Sequence, residues 1–392
     1  MKSLWIWILL GLILRLILIP TTIHPDIRGH NYAAYLISQQ GEALSFYDHI
    51  RRLPREDPIA RLYGDGLFIY PPLAYYAHAL FMSVLGPIYP WNTFQALILD
   101  IGQTLHDPHL EQLLYLLKAP YFVIDAVGLL LIWKLVPSDR RKLATILWVF
   151  NPITIYSAYM LGQFDIYIAV FILLALLLSN GKRPWLAGVA LGIAAAFKPF
   201  PLVLLPFLPN KKIPSIIAGL VTYGLIILPY MSSIGFRQYA LLASQSDKLL
   251  YAKVMVSGSQ YLPIFVVGLG ILLWLAWQKP KKLPAWVWLS TPLLLFYSVT
   301  HFHPQWFTWV SPLLILYAVY KKENKLLLSV LLGCYILIIL SFDSSLNMGL
   351  FYGLNLSGVH LSDEFISIVR GVFAATSLVL VLGQLSHQEN RK

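Results

Sequence analysis

The sequence predicts an all-α polytopic membrane protein with a long first outer loop. Hydrophobic residues make up 58% of the 392 residues and charged residues only 12%, whereas soluble domains contain about 45–50% and about 25%. Apolar runs of about 16–20 residues, close to the length that crosses a bilayer as a helix, recur along the chain. Runs such as Leu173–Leu178 lack the alternation of a transmembrane β-barrel strand. A bundle of transmembrane helices is therefore expected.

The charged residues predict an orientation rather than a nucleic-acid partner. The chain has 29 basic and 18 acidic residues, for a net charge of +11. Many of the basic residues form short clusters between apolar runs, at 138–142, 181–183, 210–212, 279–282 and 321–325. Such clusters are typical of cytoplasmic loops, whereas a nucleic-acid binder carries a continuous basic stripe. The single Cys334 excludes a disulfide scaffold and a cysteine metal cluster.

The first element is a hydrophobic run over Leu4–Pro20 that follows Lys2. It is interpreted as a retained signal-anchor helix with a cytoplasmic N-terminus, because no small-residue cleavage site follows it. The next clear span covers Tyr115–Val136. Residues 21–114 are therefore predicted to form a long outer loop, and residues 115–392 a helical bundle, within one integral-membrane domain of residues 1–392.

One apolar segment of this loop, Leu67–Pro87, has two interpretations. It is apolar enough to cross, but it contains Pro71-Pro72 and several tyrosines, and a crossing here would place the 138–142 cluster outside. A helix lying in the membrane interface is favoured, with its aromatic side chains at headgroup depth.

Ten further spans complete a prediction of about 12 crossings with both termini on the cytoplasmic side of the cell membrane. They are placed at 143–160, 164–179, 185–198, 200–209, 213–231, 261–278, 284–300, 305–320, 326–342 and 365–385. The two spans within 185–209 are too short for full crossings, so a broken helix around Lys198-Pro199 is expected to line a cavity.

Most acidic residues fall on the predicted outer side, since only Asp139, Glu323 and Glu389 are cytoplasmic. Acidic residues contribute little to orientation, so their distribution points to chemistry at the outer face. The segment 232–260, which includes Lys248, is assigned to the same side.

Ionisable residues at membrane depth indicate function by default because they are costly to bury. The outer ends of the spans hold the candidate base Asp26 and the candidate substrate-binding residues Lys118, Asp125, Gln163, Asp165, Lys198, His301, His303 and Arg370. Structural interpretations stay open: Lys118 with Asp125 as a neutral pair, Asp165 as a helix cap, and Lys198 paired with an aspartate. Two histidines without spaced carboxylates make a weak metal site, so no metal and no cofactor is predicted, and dependence on a divalent metal is left open.

The order of short motifs resembles that of the GT-C membrane glycosyltransferases. HPD at 24–26 is followed by YPPL at 70–73, K-x-P-x-x-x-x-D at 118–125, GQFD at 162–165, KPF at 198–200 and a histidine-aromatic turn at 301–309. The resemblance is to bacterial relatives of the mannosyltransferase that adds the second mannose of GPI and, more distantly, to the asparagine-linked glucosyltransferases. It implies a polyprenyl-phosphate-sugar donor, a lipid or glycan acceptor on the outer leaflet, and Asp26 as general base.

The sequence is compatible with three functions. The favoured one is an inverting transfer of a hexose, with mannose preferred, since a carboxylate can deprotonate the acceptor hydroxyl and cations can stabilise the phosphate leaving group. The alternative is a transporter or flippase of a lipid-linked sugar, which has no need of a base. A non-catalytic scaffold would leave Lys118, Asp125 and Lys198 unexplained.

Overall fold

The computed structural model describes residues 2–179, 181, 183–210, 212–278, 283–321, 325–341 and 361–386. Its α-helices are α1 Lys2–Thr21, α2 Ile27–Gln39, α3 His49–Arg52, α4 Pro58–Tyr63, α5 Leu73–Leu85, α6 Trp91–Leu99, α7 Ile101–Thr104, α8 Leu110–Leu135, α9 Arg141–Val149, α10 Pro152–Thr154, α11 Asp165–Ser179, α12 Trp185–Ala195, α13 Lys212–Ile227, α14 Ile264–Gln278, α15 Ala285–Val299, α16 Ser311–Tyr320, α17 Lys325–Leu340 and α18 Asp363–Ser386. An antiparallel hairpin, β1 Lys253–Ser257 and β2 Gln260–Pro263, precedes α14. Parts of the basic clusters at 181–183, 210–212, 279–282 and 321–325 lie outside the described residues.

The all-α membrane fold is confirmed. On length and composition, five helical segments among the described residues can cross a membrane: Leu4–Thr21, Leu110–Leu135, Ser138–Met160, Lys212–Tyr230 and Asp363–Leu385. Other apolar helices, such as α11 and α15, have 15 residues each, which is about 22 Å at 1.5 Å per residue. The count of about 12 crossings stays a prediction.

The long loop forms a packed layer of short helices at one end of the bundle, which we call the loop face. Helix α2 packs on α5, and Tyr47 lies in an aromatic cluster with Tyr75 and Tyr230. Helix α5 has 13 residues, about 20 Å of helix, which is short of the roughly 30 Å hydrocarbon core. This length favours the interfacial interpretation of 67–87, which remains a prediction.

The predicted break at Lys198 is confirmed. Helix α12 ends at Ala195, and a 3₁₀ helix over Phe200–Phe207 follows. The turn between them reaches the loop face, where the Leu73 N–H donates to the carbonyl of Ala196 at 3.0 Å. Close contact with α13 fixes α12, because a Cβ on Gly188 would lie 1.9 Å from the Ser215 carbonyl oxygen. Small residues permit this approach between apolar helices.

A buried ion pair that the sequence interpretation missed joins α1 to α8. Arg15 Nε lies 2.8 Å from Asp125 Oδ2, and Asp125 also accepts hydrogen bonds from Trp148 Nε1 at 2.6 Å and the Tyr159 hydroxyl at 2.7 Å. The carboxylate is fully used by these partners. The suggested pairing of Lys118 with Asp125 is therefore wrong.

The outer position of the loop face is tested by labelling. A cysteine replacing Asp107, introduced into a Cys334→Ala background without other cysteines, should react with an impermeant thiol reagent on intact cells. A cysteine at Ser138, exposed in the basic 138–142 turn, should react only after permeabilisation. If position 107 also requires permeabilisation, the segment 67–87 crosses and the predicted topology is wrong.

Candidate functional site

Asp26 lies at the start of α2, directly after the end of α1. Its backbone N–H donates to His24 Nδ1 at 3.2 Å, and its Oδ1 lies 3.8 Å from the same nitrogen. The Asp26 side chain is 34% exposed, whereas that of His24 is 5% exposed. A carboxylate that keeps this exposure at the loop face can receive a proton from a bound molecule.

Lys118 holds the chain that leads to Asp26. Its ammonium is fully buried and donates to the carbonyls of Ile19 at 3.0 Å, Thr22 at 2.7 Å and Met160 at 3.2 Å. A cation near the C-terminal carbonyls of a helix is favourable, so Lys118 ties the end of α1 to the segment before the GQFD motif. These hydrogen bonds occupy the N–H groups of the Lys118 ammonium.

The GQFD turn depends on Gly162, which has a φ of +73°. This left-handed conformation favours glycine, and a Cβ here would lie 2.8 Å from Ile27 Cδ1. Gln163 follows with a buried side chain whose Oε1 has no hydrogen-bond partner among the described residues. The turn packs directly against the start of α2 and thus borders Asp26.

Asp165 and Lys198 form a buried ion pair. Lys198 Nζ lies 2.7 and 2.9 Å from the two Asp165 oxygens, and Trp309 Nε1 donates to Oδ1 at 2.7 Å. The ammonium also lies 4.9 Å from the ring centroid of Phe164 and 5.1 Å from that of Tyr70. The structure therefore shows Lys198 paired with an aspartate, which is one of the two interpretations given above.

A group of basic side chains lies beside this pair. We call Lys248, His301, His303 and Arg370 the cationic cluster. Lys248 Nζ is 4.9 Å from the Trp306 ring centroid, the His301 and His303 rings are 6.0 Å apart, and His301 interacts electrostatically with Lys248 and Arg370. Within the described part of the chain, neither Lys248 nor Arg370 forms an ion pair with an acidic residue.

Burial and mutual repulsion change the acidity of this cluster. Burial, with a further contribution from Lys198, lowers the pKa of Lys248 to about 8. Burial and then the charge of Lys248 lower the pKa of His303 to about 3. Burial is the main cause of both shifts, and the neighbouring positive charges add to it.

Asp26 and the cationic cluster both lie close enough to the Lys198–Asp165 pair to interact with it electrostatically. Asp26 interacts electrostatically with Lys198, as does Lys248, and His24 beside Asp26 interacts with His303. The arrangement places a partly exposed carboxylate near a group of basic side chains. Across the described ranges, no group of three or more His, Cys, Asp or Glu residues is placed to hold a metal.

Sequence interpretation assigned Lys248 to the outer side but did not include it in the site. Its position between two spans carries no motif, and it is connected to the histidine turn by its contact with Trp306 and its electrostatic interactions with His301 and His303. Sequence interpretation also missed Arg15, because it lies in an apolar run and no nearby residue indicates its partner.

Comparison with protein families gives a match over the middle of the chain. The family model described as Glycosyltransferase family 87 matches residues 68–299, which is more than half of the chain. This range includes Lys118, Asp165, Lys198 and Lys248, whereas Asp26 and Arg370 lie outside it. No curated protein and no solved structure matches the chain.

Proposed function

The chain belongs to glycosyltransferase family 87, and from this premise we propose that it transfers a hexose, preferably mannose, from a polyprenyl phosphate to an acceptor hydroxyl on the outer face. The acceptor is a lipid or glycan. The observation that supports the proposal is the partly exposed Asp26 carboxylate near the cationic cluster, to which it is linked electrostatically through Lys198 and His24. The transporter alternative is not favoured by this family.

In the proposed reaction, Asp26 takes the proton of the acceptor hydroxyl as its oxygen bonds to C1 of the sugar. The bond between C1 and the phosphate oxygen breaks, and polyprenyl phosphate leaves with one additional negative charge. A single displacement of this kind inverts the configuration at C1. It requires one carboxylate at the acceptor and fixed positive charge at the leaving oxygen.

The cationic cluster supplies that charge in this proposal. Lys248 and Arg370 contact the phosphate as cations, whereas His301 and His303 act as neutral hydrogen-bonding groups because burial and neighbouring charges lower the pKa of both. Lys198 is already paired with Asp165, and Trp309 donates to the same carboxylate, so the pair positions Trp309 rather than providing the main phosphate contact. Lys118 and Asp125 act through the backbone and the helix packing that place Asp26.

We also propose a location: this integral membrane protein resides in the cell membrane with cytoplasmic termini, so that the loop face is external. The donor would then be consumed on the outer leaflet. This orientation rests on the basic clusters between the apolar runs.

The proposal is tested with purified full-length protein in detergent and a panel of polyprenyl-phosphate hexoses radiolabelled in the sugar. We expect consumption of at least one donor with release of polyprenyl phosphate, and no consumption by an Asp26→Asn variant purified in parallel. Movement of intact donor across proteoliposome membranes without release of polyprenyl phosphate would support the transporter instead.

The pH dependence of donor binding should show whether Lys248 contacts the donor phosphate. Its pKa is lowered to about 8 by burial, and only the protonated ammonium binds phosphate, so the apparent donor KM should rise as the pH increases through 8. The Lys248→Arg variant keeps its charge at all these pH values and should show a flatter profile, whereas Lys248→Met should show a high KM throughout. An unchanged profile in Lys248→Met would remove Lys248 from the donor site.

A further inference from the structure

The hairpin of β1 and β2 leaves apolar side chains uncovered. Val254 lies opposite Leu262 in the strand register, so the two side chains share one face of the hairpin, and they are 54% and 53% exposed. Every residue of β1 is exposed. An isolated two-stranded hairpin is only marginally stable in water, and exposed apolar surface of this kind marks a contact with another protein or with a membrane.

The hairpin is fixed between the loop layer and α14. In the segment that precedes it, the Gly235 N–H donates to Asp48 Oδ1 of the loop layer at 2.7 Å. At the other end of the hairpin, the Ile264 N–H donates to the carbonyl of Ala252 at 2.9 Å. Because Ile264 begins α14, this bond ties the base of the hairpin to the helix. The hairpin therefore lies at the loop-face end of α14.

Helix α14 exposes an apolar stripe that continues from the hairpin. The members of this stripe lie three or four positions apart in the sequence and are all exposed: Ile264, Val267, Ile271 and Trp274. In a membrane protein such a stripe faces lipid. The exposed face of the hairpin thus adjoins a lipid-facing surface.

The opposite end of α14 lies at a membrane–water boundary. There the Lys212 ammonium donates to the carbonyl of Ala276 at 2.7 Å and lies 5.1 Å from the ring centroid of Trp277. Lys212 begins a segment that is long enough to cross a membrane. Tryptophan rings and lysine side chains that extend to the headgroups are typical of this boundary.

A second lysine–aromatic pair lies on the hairpin. Lys253 Nζ is 4.5 Å from the ring centroid of Tyr261, and Lys253 is the only charged residue from 249 to 278. From Ile264 to Trp277 the helix rises about 20 Å, and the residues between Tyr261 and Ile264 add up to about 10 Å. The two pairs can thus be separated by the roughly 30 Å of the hydrocarbon core. This spacing fits the hairpin to the second membrane–water boundary.

We propose that the hairpin is a membrane-contact element at the loop face, with Val254 and Leu262 against the acyl chains and Lys253 at the phosphates of the lipid headgroups. The lysine stem covers apolar surface while its ammonium reaches the phosphates, and the tyrosine ring suits the same depth. The hairpin stays near the headgroups because its unpaired strand edges need water and its Ser257-Gly258-Ser259 tip is polar. This contact is independent of the reaction that the protein catalyses.

The accessibility of spin labels measures this depth in the full-length protein. Single cysteines in the Cys334→Ala background are labelled with a nitroxide, and the protein is reconstituted in nanodiscs of phosphatidylglycerol and phosphatidylcholine. Collisions with oxygen, which concentrates among acyl chains, are compared with collisions with a water-soluble nickel chelate. We expect labels at Val254→Cys and Leu262→Cys to favour oxygen several-fold more than a label at Ser257→Cys.

Two reference positions bracket the expected result. Ile271 lies near the middle of the α14 stripe and is 57% exposed, so a label at Ile271→Cys should favour oxygen most strongly. Glu56 is an exposed charged residue of the loop layer, so a label at Glu56→Cys should favour nickel. The label at Leu262→Cys should lie between these two.

The role of Lys253 is tested in the same experiment. In nanodiscs rich in anionic phosphatidylglycerol, Lys253→Glu should shift the Leu262→Cys label towards nickel, because a carboxylate is repelled by the anionic surface. Lys253→Arg keeps the positive charge and should leave the label unchanged. Equal accessibility in both variants would overturn the contact of Lys253 with the headgroups.

Two results would overturn the membrane contact itself. If the labels at Val254→Cys and Leu262→Cys are as accessible to nickel as the label at Glu56→Cys, the hairpin projects into water. Spin–spin broadening at both positions that disappears on dilution with unlabelled protein would show that a second copy of the chain covers this face, since exposed strands can pair edge to edge.

Discussion

Replacing Asp26 with asparagine should lower turnover by about 10²–10⁴-fold, the usual contribution of a general base. Asparagine preserves the size of the side chain and its capacity to accept hydrogen bonds, but it cannot take the proton of the acceptor hydroxyl. Donor binding should persist, because the cationic cluster is unchanged. The measurement is the rate of donor consumption at saturating donor and acceptor, together with a donor-binding titration.

Asp107→Asn is the matched control for this variant. Asp107 belongs to the same loop region, and its Oδ1 accepts the N–H of His109 at 2.8 Å, a contact that an asparagine oxygen can also make. It should retain near-normal turnover. Normal turnover in Asp26→Asn would remove Asp26 as the base, and equal losses in both variants would indicate a general effect on the loop layer.

Replacing Lys198 with methionine should destabilise the protein by about 3–5 kcal/mol, since removal of one partner leaves a buried charge uncompensated. The Asp165 carboxylate is fully buried and would keep only the hydrogen bond from Trp309. The loss should appear as a lower melting temperature in detergent. The double variant Lys198→Met/Asp165→Asn removes both charges and should recover most of the stability.

The same substitution at Lys248 is the control, because Lys248 is only partly buried and makes no ion pair within the described residues. Lys248→Met should leave the melting temperature nearly unchanged. If the Lys198→Met single variant is as stable as the wild type, leaving Asp165 without its ion-pair partner does not destabilise the protein. A stable double variant with a strongly raised donor KM would indicate that Lys198 also contacts the phosphate.

The sequence by itself determined the class of this protein. Long apolar runs can hide their backbone polar groups in a bilayer only as helices, so an all-α membrane fold follows from composition and run length alone. The polar segment between the first and second spans likewise predicted a separate loop layer, and the prolines around Lys198 predicted the break there. These features depend on residues that are close together in the chain.

Only the tertiary structure decided which charges meet. Burying Arg15, Lys118 or Lys198 carries a cost that the sequence reveals, yet the partner that offsets it can lie anywhere in the chain. Asp125 pairs with Arg15, which is 110 positions away, and Lys118 binds backbone carbonyls instead. Lys248 joins the histidine turn through a contact that no local pattern encodes. The reason is physical: helix packing sets distances between side chains on different helices, and electrostatic energies depend on those distances.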